Sequence, residues 1–118
     1  MIESYKYGCF HADGKEFLGD LKIKNNKAHY WQELEDRKLR ISHIKELIKE
    51  DPDFFVIGTG AGGLLQVGQD INEFLQNWTM QRRQGQKYFI KKNTEAIKII
   101  NDAITNNKKV CALLAGGC

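Results

Sequence analysis

The residues most suggestive of chemistry form the stretch Gly-Thr-Gly-Ala-Gly-Gly at positions 58–63, directly after the apolar run Phe-Phe-Val-Ile. Its glycines satisfy the Gly-x-Gly-x-x-Gly pattern of dinucleotide-binding loops, in which the last glycine opens a helix whose N–H groups face a pyrophosphate. Here residues 64–68 separate the glycines from the next helical pattern, so the helix begins too late. The next predicted strand ends in Lys91 and Lys92, where a dinucleotide-binding domain has an acidic residue that binds the ribose hydroxyls. No Lys-Ser or Lys-Thr follows to make a Walker loop. We therefore expect no nucleotide cofactor.

The same glycines can form a sharp corner whose backbone N–H groups line a small concavity that holds an anion. If the strands near Phe55, Phe89 and Ala112 run parallel, the segments that follow them emerge at one sheet edge, where ligands of open α/β sheets bind. The candidate ligand-binding residues at this edge are Gly58, Thr59, Gly60, Gly62, Gly63, Lys91, Lys92, Thr94 and Cys118.

Catalytic candidates are weaker. Cys118 would be a nucleophile only beside a base, and the histidines at 11, 29 and 43 are far from it in sequence. Asp20 and His29 could form an acid and base pair, but alternating strands place polar residues on the solvent face by default. We assign no catalytic residue and expect a protein that is not an enzyme.

Composition narrows the function classes. The 118 residues are 42% hydrophobic and 28% charged, with interspersed charges and a net charge of +3, so no face for nucleic acid is predicted. The basic cluster Arg82, Arg83 and Lys87 suits the solvated end of a helix. No segment could cross a bilayer, and the N-terminus lacks a signal core or presequence. Three cysteines match neither a zinc site nor a redox pair, so we expect no metal, reduced thiols and a cytoplasmic protein.

Periodicity divides the chain into two parts of one domain spanning 1–118. Short β-like pieces over about 5–31, with a hairpin signal at Asp13-Gly14, predict an antiparallel meander. Over about 42–118, helical and strand patterns alternate, which predicts a mixed sheet with crossover helices. The run 54–58 has no polar alternation and reads as a strand buried on both faces.

Three amphipathic helices are predicted in the second part. The first carries Ser42 as its N-cap, and the third begins with Asn93 or Thr94 as its cap and ends in a left-handed turn at Asn107. The second helix has an apolar stripe of Ile71, Phe74, Leu75 and Trp78.

One segment suggests a contact surface. Tyr30 and Trp31 are followed by a run of mixed charges, and this stretch suits a contact surface for a protein partner as well as it suits a loop. Taken alone, Trp31 is most simply a core or rim residue. We therefore expect partner binding through Tyr30 and Trp31.

Taken together, the motifs resemble those of the small Mth-like family of unknown function that includes the mitochondrial respiratory complex I assembly factor three and the adipogenesis-associated Mth domain-containing protein. The matching features are Gly8, Asp20 and Ile23, Trp31, Ile57–Gly60, Thr94–Ala96, Asn101 and Cys118. Members often end in a polar His-x-Thr-Cys-like tail, whereas this chain ends in Ala-Gly-Gly-Cys. The resemblance implies a three-layer fold, no agreed catalytic residues, and assembly roles in eukaryotic members.

The resulting expectation is an α/β domain of three layers, with a central mixed sheet flanked by helices and an N-terminal antiparallel β-meander. Its expected function is a small binding or assembly module. The alternative is an enzyme or carrier that holds a small anion at the loop Gly58–Gly63.

Overall fold

The computed structural model describes residues 1–81 and 85–118. The strands are β1 (Ile2–Lys6), β2 (Cys9–Ala12), β3 (Lys15–Leu18), β4 (Asp20–Lys24), β5 (Lys27–Trp31), β6 (Phe54–Gly58), β7 (Lys87–Lys91) and β8 (Val110–Leu114). The helices are α1 (Ile41–Ile48), α2 (Gln69–Gln81) and α3 (Asn93–Thr105). Among the described residues, no helix has the length and apolar character needed to cross a membrane.

The central sheet has five strands in the order β5-β4-β8-β6-β7. β6 pairs parallel with β7 and β8, whereas β4 runs antiparallel to β8 and β5. Val56 lies in register with Phe89 on one side and with Ala112 on the other, which confirms the predicted parallel core. Because β4 is antiparallel, its first residue and the last residue of β5 lie at the edge where β6, β7 and β8 end. We call this edge of the sheet the carboxyl edge.

The two faces of the sheet are covered by different layers, which confirms the three-layer α/β prediction. Phe55 and Ile57 pack with α1 and α2 on one face. Val56 packs with α3 and the N-terminal strands on the other face. All three side chains are fully buried, and each such burial stabilises the fold by roughly 1.5–3 kcal/mol. The prediction that this strand is buried on both faces is thus confirmed.

The N-terminal strands are antiparallel as predicted, but they divide between two sheets. β1, β2 and β3 form their own sheet, while β4 and β5 join the central one. The predicted hairpin at Asp13-Gly14 is confirmed, since both residues have positive φ angles. The chain changes sheet at Gly19, whose φ of +91° suits glycine and whose N–H donates to the Gly8 carbonyl oxygen.

Both predicted helix caps are wrong. α1 begins at Ile41 after Arg40, whose backbone N–H donates to His43 Nδ1 at 3.0 Å, and Ser42 lies inside the helix. α3 follows Lys92, so Asn93 is its first residue and Thr94 its second. Helical periodicity located both helices but could not show which polar group meets the first free N–H groups.

The remaining helix predictions are confirmed where the structure describes them. Ile71, Leu75 and Trp78 are buried on one side of α2, and Phe74 packs against the same core. Asn107 follows α3 with a φ of 60°, in the left-handed region. The basic cluster includes Arg82 and Arg83, which lie outside the described residues, so its role stays a prediction.

Candidate functional site

The glycine loop is a sharp corner, as one of its two interpretations predicted. It leaves β6 at Gly58, and α2 begins only at Gln69. Thr59 donates its N–H to the Lys91 carbonyl oxygen at 2.8 Å, which ties the corner to the end of β7. The loop continues through Leu65, whose N–H donates back to the Thr59 carbonyl oxygen at 3.1 Å. No helix starts at the last glycine, so the arrangement differs from a dinucleotide-binding loop.

Asn93 occupies the crevice at the carboxyl edge between the ends of β6 and β8. Its side chain is fully buried. The amide oxygen accepts from the Gly60 N–H at 3.0 Å, and the amide nitrogen donates to the Ala115 carbonyl oxygen at 2.7 Å. The Asn93 N–H in turn donates to the Gly60 carbonyl oxygen. One asparagine therefore satisfies the backbone groups that a ligand would otherwise meet.

Cys118 fills the space beside Asn93. It is buried, and its main-chain oxygen accepts from the Gly62 N–H at 3.2 Å. Gly60 has a φ of +103°, and a Cβ there would overlap the Cys118 backbone. Gly58 is equally constrained, since a Cβ would lie 2.5 Å from Asn93 Oδ1. Both glycines are thus explained by close packing of the chain on itself.

The charged candidates are at the same edge but on its surface. Lys91, Lys92 and Thr94 are exposed. The Lys91 ammonium lies 3.8 Å from the Glu95 carboxylate, and the Lys92 side chain lies alongside Gly63. Since the N–H groups of Thr59, Gly60 and Gly62 already donate within the protein, the geometry does not favour the small-anion alternative.

A polar cavity of about 360 Å³ opens beside Cys118. Asp20, Asp36 and Arg37 contribute its charged walls, and Leu34 and Gly117 complete them together with Cys118. Asp36 and Arg37 both have positive φ angles, at 56° and 52°, and form a tight turn. The N–H of Gln66 donates to the Arg37 carbonyl oxygen at 2.7 Å, which holds this turn against the glycine loop.

The cavity environment keeps its thiol protonated. Burial raises the pKa of Cys118; the positive charge of Arg37 opposes this shift and the carboxylate of Asp20 adds to it. Burial also raises the pKa of Asp20, although its carboxylate accepts from the Gly116 N–H at 2.7 Å. A thiol whose pKa is raised by burial is a poor nucleophile, because the thiolate is the reactive form.

Among the described residues that line this cavity, none is a histidine. His11 contacts Glu16 on the N-terminal sheet, and His43 lies edge-on to Trp31. His29 is in register with Lys22, and Asp20 with Trp31, so the two members of the predicted acid and base pair are not opposite each other. Of the described residues, the titratable groups that line the cavity beside Cys118 are Asp20, Asp36 and Arg37, so the histidine base of a Cys–His pair is not at hand.

The predicted aromatic pair is divided between core and surface. Trp31 is only 3% exposed and packs in the core with α1 and α2, which agrees with its interpretation as a core residue and not with an exposed contact role. Tyr30 is 56% exposed. Its ring packs on Phe17 with centroids 4.8 Å apart, and its hydroxyl donates to the Glu16 carbonyl oxygen. Adjacent strand residues point to opposite faces, which explains the division.

Exposed apolar side chains concentrate at the carboxyl edge. The structure describes six large hydrophobic side chains with high exposure, and four of them lie at this end of the molecule: Tyr7, Leu18, Tyr30 and Leu64. Tyr7 donates its hydroxyl to the Gly117 carbonyl oxygen at 2.7 Å. Leu18 precedes Gly19 at the end of β3, and Leu64 follows the glycine loop. We call these four residues the edge surface.

Sequence reasoning missed Asn93 as the residue that closes the crevice and Asp36 and Arg37 as cavity walls. A local role as helix cap accounted for Asn93 in the sequence, and a cap needs no partner that is distant in the chain. No local signal marks Asp36 and Arg37, because the contact of their turn with Gln66 brings them to the cavity.

Comparison with known proteins identifies relatives of the whole chain. The model of the family described as "Protein of unknown function (DUF498/DUF598)" matches residues 2–115. No curated protein matches the chain.

Solved structures share the fold at low sequence identity. A conserved hypothetical protein from Pyrococcus horikoshii has a TM-score of 0.79 at 21% identity, covering 100% of this chain and 99% of that one. A protein described as an outer membrane protein from Bartonella henselae has a TM-score of 0.76 at 16% identity, covering 98% and 92%. A Bordetella pertussis protein described as a Mth938-like domain has a TM-score of 0.61 at 12% identity, covering 99% and 85%.

Proposed function

The chain belongs to the DUF498/DUF598 family of unknown function, and from this premise we propose that it is a small binding or assembly module that contacts a protein partner. The observation that carries the proposal is the edge surface of Tyr7, Leu18, Tyr30 and Leu64. Apolar side chains gathered at one end of a monomer are typical of protein interaction sites.

Two rings of the edge surface are held in place before any partner binds. Tyr30 is fixed by Phe17 and by its hydrogen bond to Glu16. Tyr7 is fixed by its hydrogen bond to Gly117. Rigid tyrosines lose little conformational entropy on binding and are frequent anchors of interfaces. The polar cavity beside Cys118, with Asp20, Asp36 and Arg37, supplies charged groups at the same end of the molecule.

The interior of the same edge supports a binding role over a catalytic one. Asn93 and Cys118 lie in the crevice, and burial raises the pKa of the Cys118 thiol. The proposal includes a cytoplasmic location, which is consistent with three free cysteines. An assembly role agrees with what the family resemblance implies for eukaryotic members.

The test is association of the full chain with its partners in the native cell, measured by quantitative mass spectrometry of captured proteins. Leu64→Ser and Tyr30→Ala are expected to lose one set of partners in common, since both remove apolar contact area. Tyr30→Phe keeps the ring and should retain more of that binding than Tyr30→Ala.

Met80→Ser is the matched control, because Met80 is 76% exposed but lies near the end of α2, away from the carboxyl edge. It should capture the same proteins as the unmodified chain. Equal capture by all four variants would contradict the proposed function, as would loss in Met80→Ser alone.

A further inference from the structure

A thiol, an imidazole and a carboxylate meet on the outer face of the N-terminal sheet. Cys9 and His11 belong to β2, and Glu16 belongs to β3. Their ligand atoms all lie within 4.8 Å of one another. His11 Nε2 and Glu16 Oε2 are 3.4 Å apart. Two ligands held about 2.0–2.2 Å from one tetrahedral zinc ion lie roughly 3.3 Å apart, so this pair already has the required spacing.

The sheet fixes these positions. Cys9 and His11 are two residues apart, so they point to the same face, while Phe10 between them is fully buried on the other. Glu16 lies directly across from His11 in the β2–β3 register. Phe10 and Phe17, which are also paired in register, anchor the hairpin in the core. The ligand atoms therefore need only side-chain rotation to converge.

Ser4 orients the imidazole. Its Oγ lies 3.4 Å from His11 Nδ1, on the side of the ring away from Glu16. With a cation between Nε2 and Glu16, Nε2 is unprotonated and the Nδ1–H is placed to donate to the Ser4 hydroxyl. Metal-binding histidines are held in this way by an acceptor on their second nitrogen, which fixes both the tautomer and the ring.

We propose that Cys9, His11 and Glu16 bind a Zn²⁺ ion, with water in the fourth position. A thiolate, an imidazole and a carboxylate are all zinc ligands, and three protein ligands leave the ion open to a further group. The thiolate and carboxylate charges together neutralise the ion. A thiolate disfavours Mg²⁺ and Ca²⁺, which take oxygen ligands.

A positive charge on the neighbouring strand is that of Lys6, which lies in register with Cys9 on β1. Its side chain is exposed, so its flexible stem can move the ammonium into solvent. The cluster escaped the sequence analysis because the spacing of the cysteines alone was considered, whereas the partners of Cys9 are a histidine on its own strand and a glutamate across a hairpin.

A His–Glu pair across two strands also occurs as a simple surface ion pair, and a spectroscopic test separates the two roles. The full chain, without a polyhistidine tag and kept reduced by a phosphine, is titrated with Co²⁺ and then with Zn²⁺. The expected result is a thiolate-to-cobalt charge-transfer band that saturates at about one ion per chain and disappears when Zn²⁺ replaces cobalt.

Variants assign the ligands. Cys9→Ser should abolish the charge-transfer band, and His11→Gln and Glu16→Gln should each weaken Co²⁺ binding by at least about tenfold. Ser4→Ala should weaken it by a smaller factor. None of the four side chains is buried, and circular dichroism verifies that each variant is folded.

Cys118→Ser and His29→Gln are the matched controls, since they remove the same chemical groups elsewhere. Both should bind cobalt like the unmodified chain. The proposal is overturned if the unmodified chain shows no saturable band, if Cys9→Ser keeps the band, or if either control loses it.

Discussion

At the scale of single residues, Asn93 decides what the carboxyl edge can do. In a parallel α/β sheet this edge is the usual place for a ligand, because backbone groups at the strand ends are left without partners. Here the Asn93 amide meets two of those groups at once, on Gly60 and Ala115. The residue therefore satisfies backbone groups at the place where such sheets often bind a ligand.

Replacing Asn93 by alanine is expected to destabilise the protein by about 2 to 5 kcal/mol, because a buried N–H and a buried carbonyl each lose their partner. Urea unfolding followed by circular dichroism measures this change. Asn77→Ala is the control on exposed α2 surface and should stay within about 0.5 kcal/mol of the unmodified chain. An Asn93→Ala variant as stable as Asn77→Ala would show that the amide does not hold the crevice closed.

Asp20 makes stability depend on pH. Burial raises its pKa, and the hydrogen bond from the Gly116 N–H offsets only part of that shift. The carboxyl group of Asp20 therefore stays protonated to a higher pH in the folded state than in the unfolded state. The free energy of unfolding then falls as pH rises from the ordinary aspartate pKa of about 3.9 through the raised value.

Asp20→Asn replaces the carboxyl group with an amide, which does not ionise but keeps an oxygen that can accept from the Gly116 N–H. Unfolding measured at about pH 3 and about pH 7 should show equal stabilities at the lower pH and a more stable variant at the higher pH. A variant that is less stable at about pH 7 would mean that the charged hydrogen bond outweighs the cost of burial.

At the scale of elements, periodicity predicted where helices and strands lie but not how they begin. The apolar stripe of α2 and the continuous apolar run of β6 each specify burial directly, and both predictions are confirmed. Helix starts depend on single polar contacts such as Arg40 with His43. The same limit affected Asn93, whose long-range partners no local pattern could reveal.

The start of α1 can be tested with two neighbouring substitutions. His43→Ala should cost about 0.5 to 2 kcal/mol, because it removes the acceptor for the Arg40 N–H. Ser42→Ala should be neutral or slightly stabilising, since Ser42 is an exposed residue inside the helix and alanine is the better helix former. Thermal unfolding distinguishes them, and the opposite order of stabilities would restore Ser42 as the cap.

At the scale of the whole molecule, topology gathers distant segments at one end. The antiparallel β4 and β5 bring Asp20 and Tyr30 to the edge where three parallel strands finish. The sequence allowed this convergence to be predicted for the loops after β6, β7 and β8, because parallel strands must end together. The sequence could not place the turn of Asp36 and Arg37, because this turn contacts Gln66 in a distant loop. It also could not place β1, β2 and β3, because these strands form a separate sheet.

The convergence gives the carboxyl edge a crevice occupied by Asn93 and a surface on which exposed apolar side chains lie beside Lys91 and Lys92. The Asn93 side chain occupies the crevice beside Gly60, and the cavity beside Cys118 has charged walls. The exposed residues around it remain available to a larger partner. The proposed function assigns protein binding to this end of the molecule.

The most direct test is photo-crosslinking in the native cell, with a benzoylphenylalanine residue placed at position 64 in one variant and at position 80 in another. The account predicts a crosslinked protein of defined mass from position 64 and none from position 80, because only Leu64 belongs to the edge surface. Adducts from position 80 alone would contradict the account. So would the absence of a protein adduct from both position 64 and a third probe at position 30.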